Sequence, residues 1–419
     1  MFSSLGDDVS MKRFFQILLV ITAGETIFML PFLIPRLLRP LILESWGLTN
    51  QDIGLAFSTY GLTSILSYFL GGPLADHYSA RKLVSLSLIF TAMGGVVLAL
   101  FPSKLVFIAC YGFFGVSTIL LMWGALIKLA HLCGGHETRA SAMGILDGGR
   151  GLSAACMSAL LVYLLSILSV SSDSLFYVYS AVSLFTFVLG LVAWVGLGDF
   201  VPSETHEADS WTLSKAQELL KRLDIWLLSY LILCAYCGYK SLDNYSIYLV
   251  DVLKKSLADS SRLTSYLFWL RPIGAIAAGF AVDHLVSRYK LSRFSFLSAL
   301  LFLSGLSQII LALNILENFM MIFGLIITSA TLVYALRAVY FAVFDELKIP
   351  NYLIGTAVGI VSIIGFLPDL FFGAVTGSMI DNYPGVTGYN YVFWFTGVVL
   401  LSGSGAAAWI MMLAKVKHA

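Results

Sequence analysis

Nine ionisable residues lie inside long apolar stretches of this 419-residue sequence: the cations Lys128, Arg150, Lys240, Arg271 and Arg337, and the acids Glu25, Asp147, Asp243 and Asp369. A charge carried into hydrocarbon costs at least about 2.5–3.5 kcal/mol, so such residues normally face a polar partner or a solute. The chemistry open to them is binding. A guanidinium grips carboxylate or phosphate oxygens through a two-pronged fork of hydrogen bonds, and a lysine adds a point charge. A carboxylate among apolar side chains can take up and release a proton, because burial disfavours its charged form. Glu25, near mid-depth of its apolar stretch, is the first candidate for that role and Asp369 the second; the ordinary alternative for both is permanent pairing with a cation.

Local spacing sorts these charges further. Asp147 and Arg150 stand three residues apart, and Lys240 and Asp243 repeat that spacing. Neighbours at this interval share a helix face and can neutralise each other. Arg271 has no acid within four residues and is followed by Pro272 and Gly274, which can open a helix around a bound solute. It is the leading candidate for an anion ligand. Among the aromatics, Trp123 and Tyr239 are candidates for shaping an organic ligand's site, whereas Tyr245 and Tyr248 suit a membrane interface at least as well. This set of charges fits a small anionic or zwitterionic solute. A neutral amino acid, nucleoside or sugar fits if the pairs are structural, and an acid-dominated set, as efflux of cationic compounds would need, is not present.

The elements that must position these residues follow from composition. The chain is 59% hydrophobic and 12% charged, against about 25% charged in soluble domains. Its mean hydropathy is +0.89. Apolar runs long enough to cross a bilayer recur throughout, near 14–38, 51–75, 83–102, 104–131, 138–166, 174–196, 224–250, 261–283, 292–313, 318–344, 352–380 and 389–413. This excludes a soluble enzyme, a secreted disulfide scaffold and a nucleic-acid binder, and the net charge of +1 argues against a polyanion partner. Five scattered cysteines, including Cys234 and Cys237, read as packing residues, and no metal or cofactor is expected. The sequence holds no phosphate-binding loop of the G-x-x-x-x-G-K-[ST] type, which points away from ATP use.

The expected architecture is therefore an all-α integral membrane protein of twelve transmembrane helices in two six-helix bundles, residues 1–197 and 223–419, joined by the polar segment 198–222, whose last third can form a surface helix. Fourteen Lys and Arg residues fall on the side that holds both termini and six on the other, among them Arg36 and Arg39, so the termini are expected in the cytoplasm. The first apolar run is too long for a cleavable signal, which fits a bacterial inner membrane.

The two halves repeat each other. Gly72-Pro-Leu-Ala-Asp76-His77-Tyr-Ser-Ala-Arg81-Lys82 is echoed by Gly279-Phe-Ala-Val-Asp283-His284-Leu-Val-Ser-Arg288, 207 residues on, and Lys128 is echoed by Arg337 at an offset of 209. The first of these stretches resembles the signature of the major facilitator superfamily, a glycine, an aspartate four residues later and then a basic cluster between helices 2 and 3. His77 replaces the usual arginine and Ser79 the usual second glycine.

The resemblance implies a monomeric secondary transporter that works by alternating access, as a proton symporter or an exchanger. It also implies that helices 1, 4, 7 and 10 line the solute path, which would place Glu25, Lys128, Lys240 and Arg337 there and Arg150 and Arg271 on flanking helices. Gly72, Asp76, Arg81, Lys82, Gly279, Asp283 and Arg288 would form a conformational latch. Lys240-Ser-Leu-Asp243-Asn244-Tyr245 and Gly365-Phe-Leu-Pro368-Asp369 loosely resemble the organic-anion and organophosphate-exchanger branches. The glycine-proline pair of drug/proton antiporters is not matched at 144–151. A solute receptor without flux is the remaining alternative.

Overall fold

The structure is a computed structural model, described here over residues 7–126, 139–168, 173–197, 219–340, 342–347 and 354–416; every regular element among them is a helix. Eleven described stretches are long and apolar enough to cross a membrane, and the 28-residue helix Asn50–His77 lies between the first two of them. The protein is thus an all-α multi-pass membrane protein of the twelve-span type. The spans are numbered 1 to 12 in chain order: Asp7–Trp46, Asn50–His77, Ala80–Leu100, 104–126, Arg139–Leu168, Ser174–Gly196, Leu223–Asp251, Leu257–Tyr289, Arg293–Ala312, Phe319–Val339, Ile354–Asn382 and Val386–Val416.

Short loops between spans are closed by capping side chains, which satisfy backbone N–H groups left free at a helix start. Thr49 and Asp52 form a reciprocal pair at the start of span 2, with Asp52 N–H donating to Thr49 Oγ1 at 3.1 Å and Thr49 N–H to Asp52 Oδ2 at 3.0 Å. Asp52 also meets Lys104 Nζ at 2.6 Å. Ser79, Ser103, Ser292 and Asn318 cap spans 3, 4, 9 and 10 in turn.

The chain divides into two compact units, Met1–Ser203 with Lys255–Trp269, and Glu204–Lys254 with Leu270–Ala419. Each has its own apolar core. The first is built around Leu30, Leu37, Tyr111, Phe114 and Tyr179, the second around Leu228, Ile232, Leu301, Leu336 and Leu400. In both units a glycine lets two spans cross closely. A Cβ on Gly190 of span 6 would sit 3.2 Å from the Ser85 carbonyl of span 3, and one on Gly397 of span 12 would sit 3.1 Å from the Gly305 carbonyl of span 9. Gly397 follows Gly190 by 207 residues, the interval that separates Gly279 from Gly72.

Span 12 also approaches span 11 at a point that admits no side chain. A Cβ on Gly388 would lie 2.5 Å from the Tyr383 carbonyl, 2.8 Å from that of Met379 and 2.9 Å from Ile380 Cα. Backbone cannot yield as a side chain does, so Gly388→Ala is expected to destabilise the protein by about 1–3 kcal/mol. Gly405, on the same helix with nothing within 4 Å of its Cβ position, is the control. Denaturation midpoints in detergent should fall for Gly388→Ala and hold for Gly405→Ala.

Several spans are broken, and the sequence accounts for the breaks. Pro31 withdraws a donor from span 1, where α-helix Asp7–Thr26 gives way to a wide turn at Met29–Leu33 before helix Ile34–Trp46. Span 7 tightens at Leu242–Asn244, between Leu223–Ser241 and Tyr245–Asp251. Span 11 is interrupted after Gly365 and restarts at Pro368, whose fixed φ suits the first turn of a helix.

Four expectations need correction. Span 1 does not end at residue 38; Arg39, placed just beyond that end, is buried together with Arg36 in helix Ile34–Trp46. Pro272 and Gly274 do not open span 8, which runs unbroken from Leu257 to Tyr289. Gly274 instead brings that helix against span 10, its Cβ position lying 3.2 Å from the Thr331 carbonyl. The two Gly-x-x-x-Asp-His motifs lie in the last turns of spans 2 and 8 rather than in loops. Tyr245 and Tyr248 are interior residues, 0% and 2% exposed, and not interface residues.

Candidate functional site

In the first unit the break in span 1 gathers a charge cluster. Glu25 stands one residue before the end of helix Asp7–Thr26, and its Oε2 lies 3.2 Å from Arg150 Nε of span 5. Phe28, at the break itself, and Trp123, at the end of the wide helical turn Val116–Trp123 of span 4, flank the guanidinium, with ring centroids 5.5 and 5.9 Å from its central carbon. The negative face of each ring adds attraction to that of the carboxylate. Arg150 thus has an acid partner on another span; the Asp147 side chain, its neighbour by spacing, lies outside the described residues. Small Gly24 admits the packing: a Cβ there would meet Leu126 at 3.1 Å and Arg150 Cδ at 3.5 Å.

In the second unit the breaks of spans 7 and 11 meet at one lysine. Lys240 Nζ lies 3.2 Å from Asp243 Oδ2, its neighbour by spacing, and 3.3 Å from Asp369 Oδ1, in the first turn of the helix that begins at Pro368. The Tyr236 hydroxyl donates to Asp369 Oδ2 at 3.0 Å. A run of rings continues from there: Tyr236 stacks on Tyr239, and Arg337 of span 10 sits over the Tyr239 ring at 4.0 Å. Arg271 is buried on span 8.

Of the other residues singled out by sequence, Lys128 lies outside the described residues, as do the surroundings of Gly72 and the side chains of Asp76 and Asp283. Arg81 lies over the Trp194 ring at 5.9 Å. Lys82 and Arg288 are exposed, and Gly279 has open space at its Cβ position. Sequence reasoning missed Phe28 and Tyr236. It also missed a buried network in which the Gln308 amide donates to the Tyr245 hydroxyl and to Ser329 Oγ, both at 2.9 Å. Gln308 inside an apolar run was the available signal.

The described spans thus combine broken apolar helices with ion pairs at the breaks. The sequence matches the Major Facilitator Superfamily across residues 17–373, and the chain belongs to that superfamily. It is a transporter.

The chain is 28% identical over 368 residues to the inner membrane protein YqcE of Escherichia coli K12, covering 85% of this chain and 84% of that one. It is 26% identical over 425 residues to the inner membrane protein YihN of the same organism, covering 97% of each. Among solved structures, a bacterial homologue of the human lysosomal transporter Spinster, inward-facing and occupied, superposes with a TM-score of 0.72 at 16% identity, covering 96% of this chain and 97% of the other. The nucleoside transporter NupG gives 0.69 at 14% identity, over 94% and 98% of the two chains. At such identities the likeness is one of fold.

Proposed function

We propose that this protein is a secondary active transporter of a small anionic or zwitterionic organic solute, working by alternating access between halves 1–197 and 223–419. The observation that carries the reading is that each unit buries a cation–carboxylate cluster at a break in a span: Arg150 with Glu25, and Lys240 with Asp243 and Asp369. Buried ion pairs contribute little net stability, because the desolvation of both charges offsets their attraction. Their use is in exchange. A proton on Glu25 or Asp369 would loosen the paired cation and let it meet a solute carboxylate or phosphate, which couples proton and solute in one step. Arg271, Arg337 and Lys128 would complete the basic set, with Trp123 and Tyr239 as aromatic walls.

The names of the two Escherichia coli relatives support an inner-membrane location, the Lys and Arg distribution supports cytoplasmic termini, and the repeat of the motif around Asp76 at Asp283 supports a latch there. The family supports a monomer. A neutral solute such as a nucleoside is the second reading, favoured by the internal pairing of Arg150 and Lys240.

A thermal-shift screen separates the two, since a ligand that binds the folded state raises its apparent stability by mass action. Carboxylates or phosphates should raise the melting temperature, and Arg271→Ala should abolish the rise while the protein stays folded. An imposed inward proton gradient should drive uptake into proteoliposomes and fail to do so in Glu25→Gln. Stabilisation by neutral compounds alone would refute the anion reading.

A further inference from the structure

The residues on either side of the break in span 7 are tied to two other spans. The Gln308 amide of span 9 donates to the Tyr245 hydroxyl and to Ser329 Oγ of span 10, both at 2.9 Å, and reaches Ser241 Oγ at 3.4 Å. The Tyr245 hydroxyl donates in turn to Ser329 Oγ at 3.0 Å, and the Ser241 hydroxyl to the Gly238 carbonyl at 2.7 Å. Gln308, Ser241, Tyr245 and Ser329 are all buried. Polar side chains inside a bilayer commonly bond across helices and do no more than join them. Here the place of the bonds points further.

Ser241 and Tyr245 bracket the tightened turn Leu242–Asn244; the turn carries Asp243, and Lys240 precedes Ser241. Lys240 and Asp243 meet each other, and Lys240 meets Asp369 of span 11, whereas Ser241 and Tyr245 bond to span 9. One short stretch thus bonds to a neighbouring frame through its neutral side chains and to span 11 through its charge. The frame does not yield easily. Gln308 stands three residues after Gly305, where a Cβ would lie 3.0 Å from the Gly397 carbonyl of span 12. The Tyr245 ring lies near Phe393 of that same span, with centroids 6.3 Å apart.

We infer that Gln308 is a positioning residue for the Lys240 cluster: through Tyr245 and Ser241 it fixes the break of span 7 so that Lys240 stands between Asp243 and Asp369. Geometry at a charged site is kept by neighbours whose own conformations are locked. The need is greatest when the pairing is disturbed. A proton on Asp369 or a solute at Lys240 weakens one contact of the lysine, and the neutral network keeps the turn in place until the pair re-forms. The inference rests on the reading of this cluster as an exchange site and adds the residues that hold it.

The test is a cycle of variants of the full-length protein in detergent, read as the unfolding equilibrium constant. Tyr245→Phe removes one hydroxyl and Gln308→Met removes the amide. Each is made in the wild type and in the triple variant Lys240→Met, Asp243→Asn, Asp369→Asn, whose cluster is neutral. A residue that only joins helices costs the same in both backgrounds, since independent sites add. A positioning residue costs more where charges must stay in register, because their attraction falls with distance. The unfolding constant should therefore rise about tenfold more in the charged background than in the neutral one. The pH profile of the melting temperature should change shape with Tyr245→Phe in the charged background and only shift in the neutral one. Ser304→Ala, which deletes an equally buried hydroxyl that makes no hydrogen bond, one turn before Gln308, should show no such difference. Should Gln308→Met or the triple variant fail to fold, Tyr245→Phe in the wild type and in Asp369→Asn carries the comparison.

Equal losses in the two backgrounds with parallel pH profiles would overturn the inference and leave the exchange reading to the anion screen. A difference between backgrounds, combined with a screen in which only neutral solutes raise the melting temperature, would keep Gln308 as the residue that places Lys240 and sink the exchange reading.

Discussion

Lys240→Met is expected to remove about 3–5 kcal/mol from the stability of the protein, the cost of breaking a buried ion pair by deleting one partner. Lys240 is 2% exposed and lies between two carboxylates, with Asp243 at 3.2 Å and Asp369 at 3.3 Å. Without the ammonium, the buried Asp243 and the half-buried Asp369 remain with no lysine between them. The loss should read out as a lower denaturation midpoint in micelles. The triple variant Lys240→Met, Asp243→Asn, Asp369→Asn should recover most of it, because neutral amides need only hydrogen bonds. A single variant as stable as wild type would mean that Lys240 does not hold the two broken spans together.

The Glu25–Arg150 pair supports a cleaner experiment, a double-mutant cycle with two readouts. Arg150→Met alone leaves Glu25 buried opposite an apolar side chain and should cost about 3–5 kcal/mol. Glu25→Met alone leaves the guanidinium between Phe28 and Trp123, whose rings compensate part of the loss, so a smaller cost is expected. The double variant should recover most of the stability, as apolar replacements of whole buried pairs commonly do. Transport should be lost in all three. A stable double variant that no longer transports would separate the function of the pair from its structural contribution. A double variant that transports normally would sink the exchange mechanism.

Much of the architecture could be read from the sequence because the bilayer imposes length and polarity on every span. The relation between the halves could be read from the repeat around Gly72 and Gly279, because the two motifs recur at a fixed interval of 207 residues. The charged residues could be found one by one, because a charge inside an apolar run stands out.

Their partners could not be found the same way. Spacing pairs Lys240 with Asp243, but Asp369 lies 129 residues beyond Lys240 and reaches it only because spans 7 and 11 both break at the same level. The same local rule offers only Asp147 to Arg150, whereas Glu25, on another span, lies 3.2 Å from it. Local rules describe single helices, and these contacts are made between helices. Arg39 was misplaced for a related reason: a hydropathy window closes where charges accumulate, whereas the helix continues to Trp46.

The crossing glycines set a rule for which parts of the two halves can differ. Gly190 and Gly397 stand at the same step of the two halves and do the same steric work, each against a backbone carbonyl of the span three earlier. A carbonyl cannot step aside as a side chain can, so neither half can take a larger residue there without moving a helix. The ion pairs are under no such rule: one half holds an arginine with one acid and the other a lysine with two, so the halves share a backbone crossing and differ in their charges.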